Sequence, residues 1–211
     1  MAKKIDDSGN MFKSPILEAL TTTHIAVPLT IFFSIGAISL YWCIGPLALG
    51  VVGSVSLFIV GGIFFTLVEY LVHRYFYHMS VNTPRKERLQ YIFHGVHHDH
   101  PRDKKRLALP PLMTLVLAAL FVGIFRLLMG TYGYAFGGGF MTGYATYLFI
   151  HYAIHIYAPP KNMFGIIWKH HNLHHFVGDT GAFGVSSPLW DHIFGTMPED
   201  PLKKRKMQAN A

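Results

Sequence analysis

Ten of the fourteen histidines in this 211-residue chain stand in four short clusters, two pairs and two triplets. In all clusters but the first pair, neighbouring members lie four residues apart or fewer. On an α-helix, residues three or four apart share one face, so their imidazoles can converge on one ion. The clusters therefore predict a metal centre, with these ligands: His73 and His78; His94, His97 and His98; His151 and His155; His171, His174 and His175.

The first pair, His73 and His78, does not fit an ideal α-helix. At about 3.6 residues per turn, a gap of five places the two side chains roughly 140° apart. A helix end, a bulge, or binding to two different ions would each reconcile this pair with a metal centre. The sequence leaves these three arrangements open.

The number of imidazoles predicts two ions, because ten ligands exceed what one ion can bind. About five nitrogens on each ion leave a position for water, dioxygen or substrate, which is typical of catalytic sites, whereas structural zinc closes its shell at four ligands. The single cysteine, Cys43, lies in an apolar run, so the ligands are imidazoles. Imidazole binds iron, zinc, copper and nickel alike. We expect iron for a redox reaction in a lipid environment, with zinc able to replace it in purified protein.

Other residues near the clusters are candidates for supporting roles. His170 is an additional candidate ligand, and we assign no catalytic residue beyond the metal centre. Glu69 lies four residues before His73, where its carboxylate could orient that imidazole by accepting its second N–H. An ion pair between Glu69 and Arg74 is the alternative. Asp191 is a similar candidate for a supporting carboxylate.

The composition is that of an integral membrane protein. Hydrophobic residues make up 51% of the chain and charged residues 14%, with a mean hydropathy of +0.32, whereas soluble domains carry about 25% charged residues. In a bilayer the backbone satisfies its own hydrogen bonds, so long apolar runs form helices of about 20 residues. We predict an all-α fold of four transmembrane helices in two hairpins, with spans at about 24–44, 47–72, 108–130 and 134–157.

Basic residues predict the orientation of these helices. All lysines and arginines except Arg126 lie in segments outside the two hairpin tips, and the positive-inside rule places such segments in the cytoplasm. The predicted cytosolic segments are 1–20, 73–107 and 158–211. They gather all four clusters in a cytosolic helical cap, on the same side as both termini.

The charge and the order of the clusters add three expectations. The net charge of +7 reflects membrane topology and anionic lipid, because the chain has no recognisable nucleic-acid-binding module. Residues 1–20 lack the pattern of a cleavable signal peptide. A hairpin ending in a histidine pair, followed by a histidine triplet, occurs twice, which suggests two comparable half-sites within one domain spanning 1–211.

The motifs around the histidines resemble those of the fatty acid hydroxylase superfamily, most closely the sphingolipid fatty acid 2-hydroxylases. The resemblance covers about residues 25–198. It rests on Glu69-Tyr70 with His73-Arg74 and His78, on His94-Gly95-Val96-His97-His98, on His151 and His155, on His171-Asn172-Leu173-His174-His175-Phe176, and on the segment 183–191 with Phe194-Gly195-Thr196.

This resemblance implies a membrane monooxygenase with a di-iron centre. It would use dioxygen and two electrons to hydroxylate a long acyl chain, at C2 of a fatty acid or of a sphingolipid N-acyl chain, with the ten clustered histidines as ligands. The chain offers no heme-binding sequence of a fused cytochrome b5 domain. We therefore expect a separate electron donor, either cytochrome b5-like or ferredoxin-like.

Two alternatives remain at the level of the sequence. Sterol desaturases, sterol methyl oxidases and carotenoid hydroxylases have similar clusters, and cluster spacing does not separate them from fatty acid hydroxylases. A divalent-metal transporter is less consistent with the pattern. Transporters bind their substrate near the bilayer midplane, whereas these histidines cluster at one edge of the predicted membrane domain.

Overall fold

The computed structural model describes residues 12–178 and 180–198, and all regular elements within these ranges are helical. The predicted cytosolic segments 1–20 and 158–211 lie partly outside the described residues. Within these ranges the chain forms two π-helices, His73–Tyr77 and Tyr91–Gly95. The α-helices are α1 (Pro15–Ala19), α2 (Ala26–Ile44), α3 (Val51–Val72), α4 (Pro84–Gln90), α5 (Val96–Asp99), α6 (Pro111–Met129), α7 (Tyr132–Ile156), α8 (Gly165–Phe176) and α9 (Leu189–Phe194).

Three helical segments of the described chain are long and apolar enough to cross a membrane: Ala26–Ile44, Val51–Tyr77 and Pro111–Met129. They correspond to the first three predicted spans. The fourth predicted span coincides with α7, which has 25 residues but also many glycines, tyrosines and threonines that lower its hydropathy. The structure thus supports three candidate spans, and a fourth crossing stays a prediction.

Helix α7 is the centre of the bundle, since α2, α3 and α6 all pack against it. Three consecutive glycines, Gly137–Gly139, let the neighbouring helices approach α7 closely. A Cβ atom at Gly138 would lie 2.6 Å from Ser39 Cβ, and one at Gly139 would lie 1.8 Å from the Phe58 carbonyl oxygen. Helices α2 and α3 pack mainly against α7 rather than against each other, and the arrangement of the spans in two hairpins stays a prediction.

Helices α3 and α7 run parallel, because their contacts advance together along both chains. Gly139 faces Phe58, and further along Gly143 faces Phe65, where a Cβ atom on the glycine would lie 2.8 Å from Phe65 Cβ. The Phe65 ring also stacks on Tyr144 at a centroid distance of 5.0 Å. Both helices therefore reach the same end of the bundle together, and this end carries the histidines.

The N-terminal segment packs across this end of the bundle. Arg106 forms ion pairs with Glu18 of α1 and with Asp103, and it donates a hydrogen bond to Thr21 Oγ1 at 2.9 Å. The backbone N–H of Thr23 donates to the Lys105 carbonyl at 2.9 Å. These contacts hold the segment before α2 against the loop that leads into α6.

Candidate metal centre

A π-helix removes the spacing problem of the first histidine pair. The backbone N–H of His78 donates to the His73 carbonyl at 3.2 Å, the i→i+5 bond that defines a π-turn. Residues five apart then lie about one turn apart, and the two rings approach to a centroid distance of 5.1 Å. Of the three arrangements that the sequence left open, the structure has the helix end, where a π-turn forms the last turn of the segment Val51–Tyr77 and His78 caps it.

The ten clustered histidines form two groups of five, each able to hold an ion, with all ligand atoms of a group within 4.8 Å of one another. The first histidine group contains His73, His78, His94, His98 and His174. The second histidine group contains His97, His151, His155, His171 and His175.

Each group takes one histidine from the opposite half of the chain. The middle members of the two triplets, His97 and His174, exchange places, so neighbouring residues such as His97 and His98 belong to different groups. Each half of the chain therefore supplies four of the five histidines of one group, and the fifth comes from the other half. The groups lie side by side, and the His98 and His175 rings stack between them at a centroid distance of 4.2 Å.

The ring nitrogens converge in a way that hydrogen bonding does not explain. His97 Nε2 lies 3.0 Å from both His175 Nε2 and His151 Nε2, and His155 Nε2 lies 3.2 and 2.9 Å from His151 Nε2 and His171 Nε2. One Nε2 carries either one proton or one in-plane lone pair, so it cannot satisfy two such neighbours. Lone pairs that point at a shared cation account for the arrangement.

The separations also indicate the coordination geometry. Across both groups the close Nε2 to Nε2 distances run from 2.9 to 3.2 Å. With a metal–nitrogen bond of about 2.1 Å, ligands at right angles lie about 3.0 Å apart and tetrahedral ligands about 3.4 Å apart. The groups therefore fit five- or six-coordinate ions better than a closed tetrahedral zinc site.

Burial keeps these imidazoles neutral. Outside the candidate spans, desolvation lowers the pKa of His94, His97, His171 and His175 below the usual histidine value, and the neighbouring imidazoles lower it further. A neutral imidazole offers the lone pair that a metal requires.

Backbone carbonyls orient two rings of the first histidine group. The Phe183 carbonyl lies 2.6 Å from His73 Nδ1, and the Gly181 carbonyl lies 2.8 Å from His174 Nδ1. A carbonyl oxygen only accepts, so both Nδ1 atoms carry the proton and both Nε2 atoms present a lone pair. These two carbonyls could not be predicted from the sequence, because residues 181 and 183 follow the last histidine cluster in a loop.

The two candidate carboxylates act on that loop and not directly on the imidazole rings of the ten histidines. Glu69 was a candidate to accept from His73 or, alternatively, to pair with Arg74, but its described hydrogen bonds go to neither, and Arg74 donates to the Tyr70 hydroxyl instead. The Glu69 Oε1 atom accepts from the backbone N–H groups of Val185 and Ser186 at 2.7 and 2.8 Å, and its Oε2 accepts from the Ser186 hydroxyl.

Asp191 holds the same loop from the other side. Its carboxylate accepts from the N–H groups of Phe183 and Gly184 at 2.9 and 2.7 Å, and from the Thr196 hydroxyl at 2.7 Å. Burial alone would raise the pKa of Asp191, but these hydrogen bonds and one from His170 outweigh it and lower that pKa. His170, the additional candidate ligand, donates through Nε2 to Asp191 at 3.0 Å and belongs to neither group.

Two tyrosines that the sequence analysis did not assign lie against the groups. The Tyr77 ring stacks on His94 at 4.7 Å, and the Tyr147 ring stacks on His151 at 5.5 Å. Tyr147 precedes His151 by four residues on α7, so helical spacing could have identified it.

A cavity of ≈ 360 Å³ opens beside the two groups. His94 of the first histidine group and His97 and His151 of the second border it. Most of the remaining wall is apolar, and it consists of Phe12, Leu20, Thr21, Tyr77, Ile92, Phe93, Val96, Arg106, Leu107, Ala108, Leu109, Pro110, Met113, Tyr144, Tyr147 and Leu148.

Comparison with known proteins places this architecture in a family. The fatty acid hydroxylase profile matches residues 58–196, a stretch that contains all ten histidines. A solved structure described as full-length scs7p, with only the hydroxylase domain visible, superimposes with a TM-score of 0.77 at 30% identity and covers 87% of this chain and 70% of that one.

The chain is also similar in sequence to named hydroxylases of animals and plants. Fatty acid 2-hydroxylase of Rattus norvegicus is 38% identical over 152 residues, 69% of this chain and 41% of that protein. Dihydroceramide fatty acyl 2-hydroxylase FAH1 of Arabidopsis thaliana is 33% identical over 208 residues, 95% of this chain and 84% of that protein. The chain thus spans less than half of the rat protein and most of the plant protein. From its fold, its two histidine groups and these matches, this chain belongs to the fatty acid hydroxylase family.

Proposed function

We propose that the protein is a membrane-bound di-iron monooxygenase that hydroxylates C2 of a long acyl chain, either in a free fatty acid or in a ceramide. The single observation that carries this proposal is the apolar cavity bordered by histidines of both groups. The relatives named as fatty acid 2-hydroxylase and dihydroceramide fatty acyl 2-hydroxylase support the choice of substrate and position.

The reaction is balanced by reactants from outside the chain. Dioxygen, two electrons and two protons convert the C2–H bond to C2–OH, and the second oxygen atom leaves as water. Two bound iron ions would supply the dioxygen chemistry that an unactivated C–H bond requires. The electrons come from a separate donor protein, cytochrome b5-like or ferredoxin-like.

The residues of the chain hold the ions and keep the site dry. All ten histidines of the two groups serve as ligands, five for each ion. Their right-angle spacing and lack of thiolate partners favour iron over structural zinc. His73 and His174 are fixed in the tautomer that presents Nε2, because their Nδ1 protons are held by backbone carbonyls.

The cavity binds the acyl chain next to the ions. Leu109, Met113 and Leu148 contribute apolar surface, and contact with them removes acyl methylenes from water at about 0.8 kcal/mol per buried CH₂. The ligands His94 and His151 border the same space, so a chain lying along this wall presents a C–H bond to the metal centre.

The membrane arrangement follows the charge pattern. Helix α7 is the fourth span, because it is parallel to the candidate span α3 and central among α2, α3 and α6. Residues 1–211 form one membrane domain with both termini and the metal centre on the cytoplasmic side, where the donor protein has access.

Product analysis tests this proposal. Membranes that contain the full chain, supplied with a reducing system and a defined ceramide or fatty acid, should accumulate 2-hydroxy acyl chains only when dioxygen is present. Hydroxylated carotenoids or altered sterols with unchanged acyl chains would contradict the assigned substrate.

The cavity can be tested separately from the metal. Ala108→Phe places a ring in the cavity wall and should lower product at least about 10-fold while both ions remain bound, since 1.4 kcal/mol of lost binding is already tenfold. The matched control is Ala119→Phe, the same substitution at an exposed position of α6. Unchanged turnover in Ala108→Phe would show that the substrate lies elsewhere.

A further inference from the structure

Residues 181–187, named here the support loop, lie between two buried carboxylates. Glu69 in α3 accepts three hydrogen bonds from Val185 and Ser186. Asp191 in α9 accepts from Phe183 and Gly184. The loop is thus held from both sides by hydrogen bonds to buried carboxyl groups.

The support loop acts on one histidine group only. Its carbonyls at Phe183 and Gly181 accept from His73 and His174, both members of the first histidine group. In the part of the chain that the structure describes, the Nδ1 atoms of His171 and His175 in the second histidine group are buried without a hydrogen-bond partner. The two groups therefore have equal ligand sets and unequal support.

We propose that Glu69 and Asp191 are positioning residues for the first ion, and that they act through the support loop rather than on an imidazole. They fix the loop so that its carbonyls keep the Nε2 atoms of His73 and His174 aimed at that ion. The first histidine group consequently binds its ion more tightly than the second. This inference rests on the two-ion centre of the proposed function.

Hydrogen-bond chemistry predicts opposite outcomes for two isosteric changes. Glu69→Gln retains all three contacts, because its carbonyl oxygen can accept both N–H groups while its NH₂ donates to the Ser186 hydroxyl. Asp191→Asn does not retain them, because each carboxylate oxygen of Asp191 accepts from a backbone N–H and an amide offers only one such oxygen. Glu69→Leu removes every contact to the loop.

The proposal can be tested by measuring how tightly metal is retained in two variants, each with one histidine group left intact. This measurement does not depend on enzyme activity. His175→Ala leaves the first histidine group intact, and His94→Ala leaves the second intact. In each background the full chain, loaded with Fe²⁺ or Co²⁺, is titrated with a chelator, and the bound metal is counted by elemental analysis. Thr66→Val is the matched control, since Thr66 also lies on α3 and contacts the C-terminal region through Trp190 but does not touch the support loop.

In the His175→Ala background, Glu69→Leu and Asp191→Asn should each weaken the remaining ion about 10- to 100-fold, the usual effect of removing an outer hydrogen-bond partner of a metal site. Glu69→Gln and Thr66→Val should stay close to the parent. In the His94→Ala background, Glu69→Leu should leave metal retention unchanged.

Two results would overturn the proposal: equal weakening by Glu69→Leu in both backgrounds, which indicates a general loss of structure, or no weakening in either. If Glu69→Leu does not fold, the comparison of Asp191→Asn with Glu69→Gln decides the question. A wild-type chain that binds no metal would instead contradict the proposed function, so the two failures are distinguishable.

Discussion

The two histidine groups are alike in composition and differ in what surrounds them. Each contains five imidazoles, four from one half of the chain and one from the other. In the first histidine group, His73 and His174 donate hydrogen bonds to carbonyls of the support loop. Within the described residues, the side-chain contacts of the second histidine group join only its own imidazoles.

This difference shows that two properties of a metal site, the choice of its ligands and the support of those ligands, are determined separately. Ligand spacing decides which imidazoles can reach an ion, and the same spacing occurs in both halves. The surrounding hydrogen bonds decide how firmly each ring is held. Two similar ligand sets can therefore give two ions of different affinity in one centre.

Removing a ligand should have the largest effect, and it should be equally severe in both groups. His97→Ala and His171→Ala each leave four ligands in the second histidine group, and His94→Ala leaves four in the first. We expect product formation to fall more than about 100-fold in each variant, beyond the 10- to 100-fold range of outer partners, because the proposed reaction uses both ions. The measurement is 2-hydroxy acyl product per chain.

The control for these variants is His192→Ala, an exposed histidine outside both groups. Its activity should match that of the parent. If His94→Ala stayed fully active while His171→Ala did not, only one of the groups would take part in the reaction.

A smaller effect, on stability, is expected from disturbing the packing of α3 against α7. Gly139→Ala brings a Cβ atom to 1.8 Å from the Phe58 carbonyl oxygen, so α3 and α7 must move apart. Overpacking of this kind costs about 1–3 kcal/mol, and unfolding in detergent by denaturant measures it. Gly123→Ala in α6 meets nothing within 4 Å and should leave stability unchanged or raise it by up to about 1 kcal/mol. Equal stability of the two variants would contradict the close packing of α3 against α7 at Gly139.

Much of this architecture can be predicted from the sequence, because hydropathy and charge act over whole segments. The runs at 24–44, 47–72 and 108–130 correspond closely to the helices α2, α3 and α6. Helix α7 was predicted as a span of the same kind as the others. Its glycines are sites of close packing, but they also make α7 the least apolar of the four helices.

The assignment of each histidine to a group was not predicted, although helical geometry contains part of the answer. At about 100° per residue, His98 lies about 40° from His94 in one direction and His97 about 60° in the other, so the side chains of His97 and His98 diverge by about 100°. Which ion each side meets depends on the partner helix, which spacing does not reveal. The π-helix at His73–Tyr77 and the contact of Glu69 with Val185 depend on backbone detail and on residues distant in sequence.

The most direct test of the two crossed groups is a metal count in two double variants. His73→Ala with His174→Ala removes two ligands that are far apart in sequence but share the first histidine group. His174→Ala with His175→Ala removes neighbours that belong to different groups. Elemental analysis should find one ion per chain retained in the first double variant and neither ion firmly bound in the second. The reverse result, with the neighbouring pair keeping one ion and the distant pair none, would contradict the exchange of His97 and His174 between the groups.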